Sequence, residues 1–267
     1  MSESMQKMPL ARDQSAQEAI KSAAKQPLLG TPERRLWLLL GLVLVVAALF
    51  MTVNAQAEWS FVLPLRATKL ATLCTVAFAI GVSTVLFQTV TNNRILTPAV
   101  MGFDALFQLI QSVLAISLGV AAMQLPELGR FGMNVGLMVV LSTSLFVWLF
   151  RGQTSNLHLL LLVGIVAGIF FRSLNNFVWR VMDPNDFVVL QDRLFANFNT
   201  VSVPLLLLSL AVIVAVGLWV WRQRHLLDVL ALGREVAINL GVNYQRATMS
   251  VLVMIAVLVS VSTALVG

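Results

Sequence analysis

Seven stretches of this chain run for about twenty residues without an Asp, Glu, Lys or Arg: 36–53, 70–91, 105–125, 131–150, 152–171, 201–221 and 247–267. A helix that crosses the hydrocarbon core of a bilayer needs ~20 such residues. A transmembrane β-strand needs only ~10 and alternates strictly, which none of these stretches does. In lipid every backbone N–H and C=O must be satisfied within the segment, and a helix does this by itself. The composition agrees: 58% of residues are hydrophobic and 11% are charged, against the ~25% charged typical of a soluble domain. The expected fold is therefore an all-α, polytopic transmembrane helical bundle.

Several functions are excluded or disfavoured at this level. Cys74 is the one cysteine, so there is no disulfide framework and no CxxC metal motif. His158 and His225 have no companion ligands at a recognised spacing, and no metal site is expected. No GxxxxGK[ST] phosphate loop occurs, so ATP is not bound by that route. Nothing calls for a nucleic-acid partner. Residues 1–35 are polar, contain Pro9, Pro27 and Pro32, and lack the short apolar core of a signal peptide. They read as a cytoplasmic N-terminal tail with a weak helix over 11–25, leaving 36–267 as the membrane domain.

Lys and Arg in short loops stay in the cytoplasm. With the N-terminus inside, the cytoplasmic segments carry twelve of the eighteen basic residues and the outer segments six. The outer six are Arg66, Lys69, Arg130, Arg172, Arg180 and Arg193. This orientation puts "LALGREVAINLGV" (230–242) on the cytoplasmic side, between the sixth and seventh apolar runs. The segment is too short to span and too polar to sink into lipid. Gly241 suits a helix C-cap, Val236 and Leu240 share a face, and Asp228 is placed to cap a short turn over 226–232. Two readings follow: an interfacial helix on lipid headgroups, or a docking helix for a soluble partner.

The register of "LDVLALGREVAINLGV" (227–242) resembles the cytoplasmic coupling segment of the FecCD-type permease family. These are the transmembrane subunits of ABC importers for iron–siderophores, haem and vitamin B12. The family pattern L-x-x-L-x-L-G-x-x-x-A-x-x-L-G-V is met by Leu227, Leu230, Leu232, Gly233, Ala237, Leu240, Gly241 and Val242. A second stretch, "NNRILTPAVMGFDAL" (92–106), is similar to the family's R-N-P-L-x-x-P-x-x-L-G segment through Asn93, Pro98 and Gly102, with Arg94 at the usual proline. Pro98 is expected in the first turn of the third helix. A third, "LPLRATKL" (63–70), resembles L-R-L-P-R-x-L, with Arg66 and Lys69 at the basic positions.

The resemblance implies a type II importer permease of ten helices, of which about seven are present, the remainder being expected beyond Gly267. It implies ATPase coupling through Leu232, Gly233, Arg234, Glu235, Ala237, Leu240 and Gly241. It implies docking of a periplasmic or lipoprotein substrate-binding protein at Arg66 and Lys69, and a translocation path at Arg172, Asn175 and Asn176. A cytoplasmic ABC ATPase dimer carrying ATP and Mg, and a second permease subunit, are the further implied partners. The chain itself would bind no cofactor or metal and would be no enzyme. It would sit in the bacterial inner membrane and import a ferric siderophore, or alternatively haem or cobalamin.

Polar groups within spans are costly and face protein or a cavity. Gln108 and Gln111 in the third run and Asn134 at the start of the fourth are of this kind. Gly81, Ser83, Gly164, Ala167 and Gly168 permit close helix packing. "NDFVVLQDRLF" (185–195) reads as a short outer helix. An ion-coupled secondary transporter would call for carboxylates in the spans, and the seven runs contain none, Asp104 being nearest. A membrane enzyme would need a His/Asp/Glu/Cys cluster at a shared depth, which the sequence does not supply.

Overall fold

The computed structural model describes residues 32–53, 59–118, 126–150, 157–199 and 201–266. The tail and its expected helix over 11–25 lie outside the described residues. The described chain is helical: α1 (Pro32–Thr52), α2 (Trp59–Thr91), a 3₁₀ turn (Pro98–Met101), α3 (Phe103–Leu118), α4 (Glu127–Phe150), α5 (Leu157–Val181), α6 (Pro184–Leu194), α7 (Val203–Arg222), α8 (Arg224–Ala231), α9 (Arg234–Asn239) and α10 (Tyr244–Val266).

Six of these (α1, α2, α4, α5, α7 and α10) are long and apolar enough to cross a membrane. The third expected span is shorter than anticipated. Helix α3 has 16 residues, ~24 Å of rise, and residues 119–125 lie outside the described set. Helix α2 is longer than expected: its 33 residues begin at Trp59 and accommodate Pro64 near the N-terminal end. Pro64 forfeits one backbone bond there, and helices in lipid tolerate this where other groups compensate. Helix α4 begins at Glu127, so Asn134 lies two turns inside it rather than at its start.

Two compact units divide the chain, residues 1–66 and 67–267. In the first, Arg66 closes the end of α1. Its Nη1 donates to the carbonyls of Phe50 (2.8 Å), Met51 (3.2 Å) and Val53 (2.8 Å). A guanidinium is well placed there, because the last carbonyls of a helix have no intrahelical donor and carry partial negative charge.

The second unit is built around α10. Tyr244, Ala247, Val251, Leu252, Ile255, Leu258 and Val261 are all buried, as are Thr248, Ser260 and Ser262. Side chains from α2 (Ala79, Leu86, Phe87, Val90), α4 (Phe131, Phe146) and α7 (Leu206, Ile213) join the same core. Close fit, rather than apolarity alone, must hold this core together, because lipid tails are as apolar as the helices they would replace.

Helix α5 is joined to the bundle along one stripe. Gly164, Gly168 and Asn175 are buried, whereas Leu162, Val166, Ile169, Phe170, Phe177 and Val181 are exposed. The stripe meets the turn before α3. A Cβ on Gly102 would collide with Gly168 Cα, and one on Gly164 would stand 3.1 Å from Met101 Cε. Gly81, by contrast, has nothing within 4 Å of an added Cβ, so it makes no close packing contact. Pro98 opens the separate 3₁₀ turn rather than α3, and Gly102, at φ 77°, separates the two.

Candidate coupling surface and transport path

Between α7 and α10 the backbone makes two short helices joined through Leu232 and Gly233. Helix α8 ends at Ala231, and the N–H of Gly233 donates to Leu230 O at 3.0 Å. Gly233 then adopts φ 96°, ψ 168°, a region essentially reserved for glycine, and its carbonyl accepts from Ala237 N–H to start α9. Asp228 lies inside α8, so it does not cap that turn as the sequence suggested.

Helix α9 closes with both bonds of a Schellman motif. Gly241 N–H donates to Ile238 O at 2.9 Å, and Val242 N–H to Ala237 O at 3.0 Å, with Gly241 left-handed at φ 82°. Only Ala237 of α9 is fully buried, and it joins the α10 core together with Leu230 and Tyr244. A larger side chain at 237 would push the helix off the bundle. The apolar residues that remain, Leu232, Val236, Ile238 and Leu240, point outward beside exposed Arg234, Glu235 and Asn239. Val236 and Leu240 are thus exposed together as expected, although Leu240 sits at the cap rather than within the helix.

The second motif explains itself in the same way. Asn93 Oδ1 accepts from Ile95 N–H at 3.0 Å, Pro98 is buried, and Gly102 meets α5. Gly102, Gly233 and Gly241, each singled out by register, are the three glycines with positive φ among the described residues. This geometry was latent in the sequence as glycine position alone.

The three path candidates on α5 separate. Asn175 is 1% exposed and belongs to a polar cluster between α3 and α5. The Ser112 hydroxyl donates to Asn175 Oδ1 at 2.7 Å, with the Gln108 carbonyl as alternative acceptor at 2.8 Å. It accepts from Trp179 Nε1–H at 2.9 Å. Trp179 in turn packs edge-on against Phe187 of α6 at 5.4 Å. Arg172 and Asn176, four residues apart, share the exposed face instead. Sequence reasoning missed Ser112 and Trp179. The available signal was that Gly164, Gly168, Asn175 and Trp179 fall on one helical stripe.

Helix α6 lies where the short outer helix was expected. The Asp183 carboxylate accepts from Asn185 N–H at 2.8 Å and Pro184 takes the first helical position. Near the far ends of α4 and α10 lies a cavity of about 400 Å³, bordered by Gln111, Glu127, Arg130, Asn134 and Asn197. Asn134 is buried there with its Oδ1 lacking a hydrogen-bond partner. Lys69 is half-buried on α2, ~33 Å of helical rise from Thr91, so Lys69 and the α8–α9 segment belong to opposite ends of the second unit. Among the described residues no group of three or more His, Cys, Asp or Glu could hold a metal ion.

The sequence model of the FecCD transport family matches residues 36–267. The chain belongs to the FecCD transport family. It is a multi-pass membrane protein and a transport component. It is 42% identical over 236 residues to the petrobactin import system permease protein YclO of Bacillus subtilis (strain 168), covering 88% of this chain and 75% of that protein. It is 36% identical over 203 residues to FatC, a petrobactin import system permease protein of Bacillus anthracis, covering 76% of this chain and 57% of the relative. Identity to the vitamin B12 import system permease protein BtuC of Vibrio cholerae is 28% over 250 residues, covering 88% and 72%. The solved structure of an inward-facing metal-chelate type ABC transporter matches with a TM-score of 0.69 at 18% identity, over 85% of this chain and 73% of that one. That likeness establishes the fold.

Proposed function

We propose that this chain is the transmembrane permease subunit of a binding-protein-dependent ABC importer for a ferric siderophore. The observation that carries the mechanism is the α8–α9 segment, a helix fixed between two positive-φ glycines, anchored by Ala237 and presenting apolar side chains among charges. Such a segment can pass force between the bundle and a soluble motor because Ala237 ties it to the α10 core and both glycine junctions are hydrogen-bonded. Two relatives being petrobactin import permeases favours a siderophore cargo over a corrinoid.

In this reading the N-terminus and α8–α9 face the cytoplasm, where an ABC ATPase dimer holds ATP and Mg. The polypeptide does no covalent chemistry and carries no cofactor. A loaded binding protein docks through Arg66 and Lys69. A second permease subunit completes the path, with Arg172 and Asn176 on the exposed side of α5 as the residues offered to it. ATP acts only to the extent that it favours one helix arrangement over another.

The test is reconstitution with the ATPase and binding protein, followed by uptake of radiolabelled ferric siderophore. ATP-dependent uptake is expected. Retention of a corrinoid in place of an iron chelate by the binding protein would overturn the cargo assignment.

A further inference from the structure

Helix α5 carries an arginine at the depth where lipid tolerates one least. Residues 162–181 are the part of α5 long and apolar enough to cross a membrane, and Arg172 stands at the middle of that stretch. Its side chain is exposed, as are those of Asn176 and Arg180, one and two turns further along. At about 100° per residue the three fall within ~80° of the helix circumference and ~12 Å of its length. They border the buried stripe of Gly164, Gly168 and Asn175, while Leu162, Val166, Phe170 and Phe177 take the rest of the exposed surface.

Lipid does not account for this stripe. Arg180 lies next to the end of the span, and its long stem lets the guanidinium reach the interface. Arg172 has no such escape, because the middle of the hydrocarbon core is ~15 Å from either interface, beyond the reach of its side chain. Among the described residues neither guanidinium has a hydrogen bond or an ion pair. A second copy of this chain would not neutralise them either. Its seven apolar runs contain no Asp or Glu, and α5 itself (157–181) has none, so the copy would only add guanidiniums.

A cationic stripe at mid-span with no carboxylate beside it suits a water-filled passage whose traffic supplies the negative charge. Guanidiniums donate strong, charge-assisted hydrogen bonds to oxyanions, and the low dielectric of the surrounding helices strengthens the attraction. Two such sites ~12 Å apart along the helix, with the Asn176 amide between them, let an anion step from one to the next without a single tight trap.

We infer that Arg172, Asn176 and Arg180 form a charge-selecting face of the transport path, and that the cargo is a metal chelate of net negative charge. This rests on the proposed function and narrows its cargo from ferric siderophores in general to anionic ones. Ferric iron held by catecholates, whose charge exceeds that of the metal, is such a chelate. A ferric tris-hydroxamate, in which the ligands just balance the metal, is not.

The experiment uses the assembled transporter in nanodiscs, with Cys74, which is exposed, replaced by Ser. Asn176→Cys is reacted with an anionic sulfonatoethyl and a cationic trimethylammonioethyl methanethiosulfonate, with both arginines kept and with Arg172→Gln and Arg180→Gln added. Both reagents are expected to react, and the ratio of anionic to cationic rate to fall roughly tenfold when the arginines are replaced. In proteoliposomes, Arg172→Gln is expected to lower turnover of a ferric tris-catecholate roughly tenfold at an unchanged half-saturating concentration of loaded binding protein, and Arg172→Lys to restore most of it. No reaction with either reagent means that the stripe is sealed by lipid or a partner, and overturns the inference. A rate ratio indifferent to the arginines, the mark of guanidiniums neutralised by a partner's carboxylates, overturns it as well. So does turnover unaffected by Arg172→Gln, or uptake by the parent of a neutral ferric tris-hydroxamate alone. All of these leave the importer reading standing; a parent that takes up no ferric chelate overturns that reading instead.

Discussion

Two junctions of this molecule use glycine for different reasons. At Gly102 the backbone is left-handed and also touches another helix, so a side chain would violate both conformation and space. At Gly241 the backbone is left-handed but nothing lies within 4 Å of an added Cβ. Gly233 is intermediate: its conformation excludes side chains, and its one neighbour is the end of the Asn92 amide. The α3–α5 junction is thus set by packing within the bundle. The α8–α9 segment is set by local backbone geometry and leaves the remaining apolar residues of α9 exposed.

Substitutions can break or sharpen that contrast. Gly102→Val should be the most damaging, costing on the order of 3–5 kcal/mol through overpacking and strain, because Gly168 backbone cannot move aside. The expected result is loss of monodisperse protein in detergent size-exclusion chromatography. A normal yield would show that α5 can retreat from the turn. Gly233→Pro comes next. It forbids φ 96° and removes the bond to Leu230 O, a local cost of ~3 kcal/mol. The chain should still insert, but uptake driven by ATP should disappear.

Glu235→Arg changes an exposed charge and no packing. Expression should be unchanged, while ATPase activity stimulated by the loaded binding protein should fall roughly tenfold through loss of charge complementarity. Full coupling would remove α9 from the interface. Asn175→Leu tests the bundle side at a smaller scale. It removes the Asn175 acceptor of the Ser112 hydroxyl, leaving that hydroxyl the Gln108 carbonyl, and should cost ~0.6–2 kcal/mol, read as a lowered thermal inactivation midpoint. Unaltered stability would reassign Asn175 to transport alone. Gly241→Asn should be mildest, below ~1 kcal/mol, since Asn visits the left-handed region with little penalty and space is open.

Much of this architecture is legible in the chain, and the failures are instructive. Runs of apolar residues locate the spans, yet α7 and α10 have mean hydropathies of 2.7 and 2.5 and differ greatly in burial, 17% against 56%. Hydropathy measures compatibility with an apolar solvent and does not separate lipid from protein. The motif register found Gly102, Gly233 and Gly241 but not why each is glycine, because φ and a neighbour's distance are properties of the folded backbone. Asn175 and Asn176 looked equivalent as adjacent amides. One helical step of 100° put the first against Ser112 and the second outside.

The sequence by itself determined that the chain crosses the membrane as helices, that a short polar segment lies between the sixth and seventh apolar runs, and, through the resemblance of its motifs, to which family it belongs. These follow from composition, charge placement and residue spacing, which are local quantities. Only the tertiary structure decided which helix is central, which amide is buried, and that Asn92 adjoins Gly233. Those outcomes depend on contacts between residues far apart in sequence, such as Gly102 with Gly168 and Ser112 with Asn175. No local pattern encodes the partner across such a gap, because it is packing among all the helices that selects it.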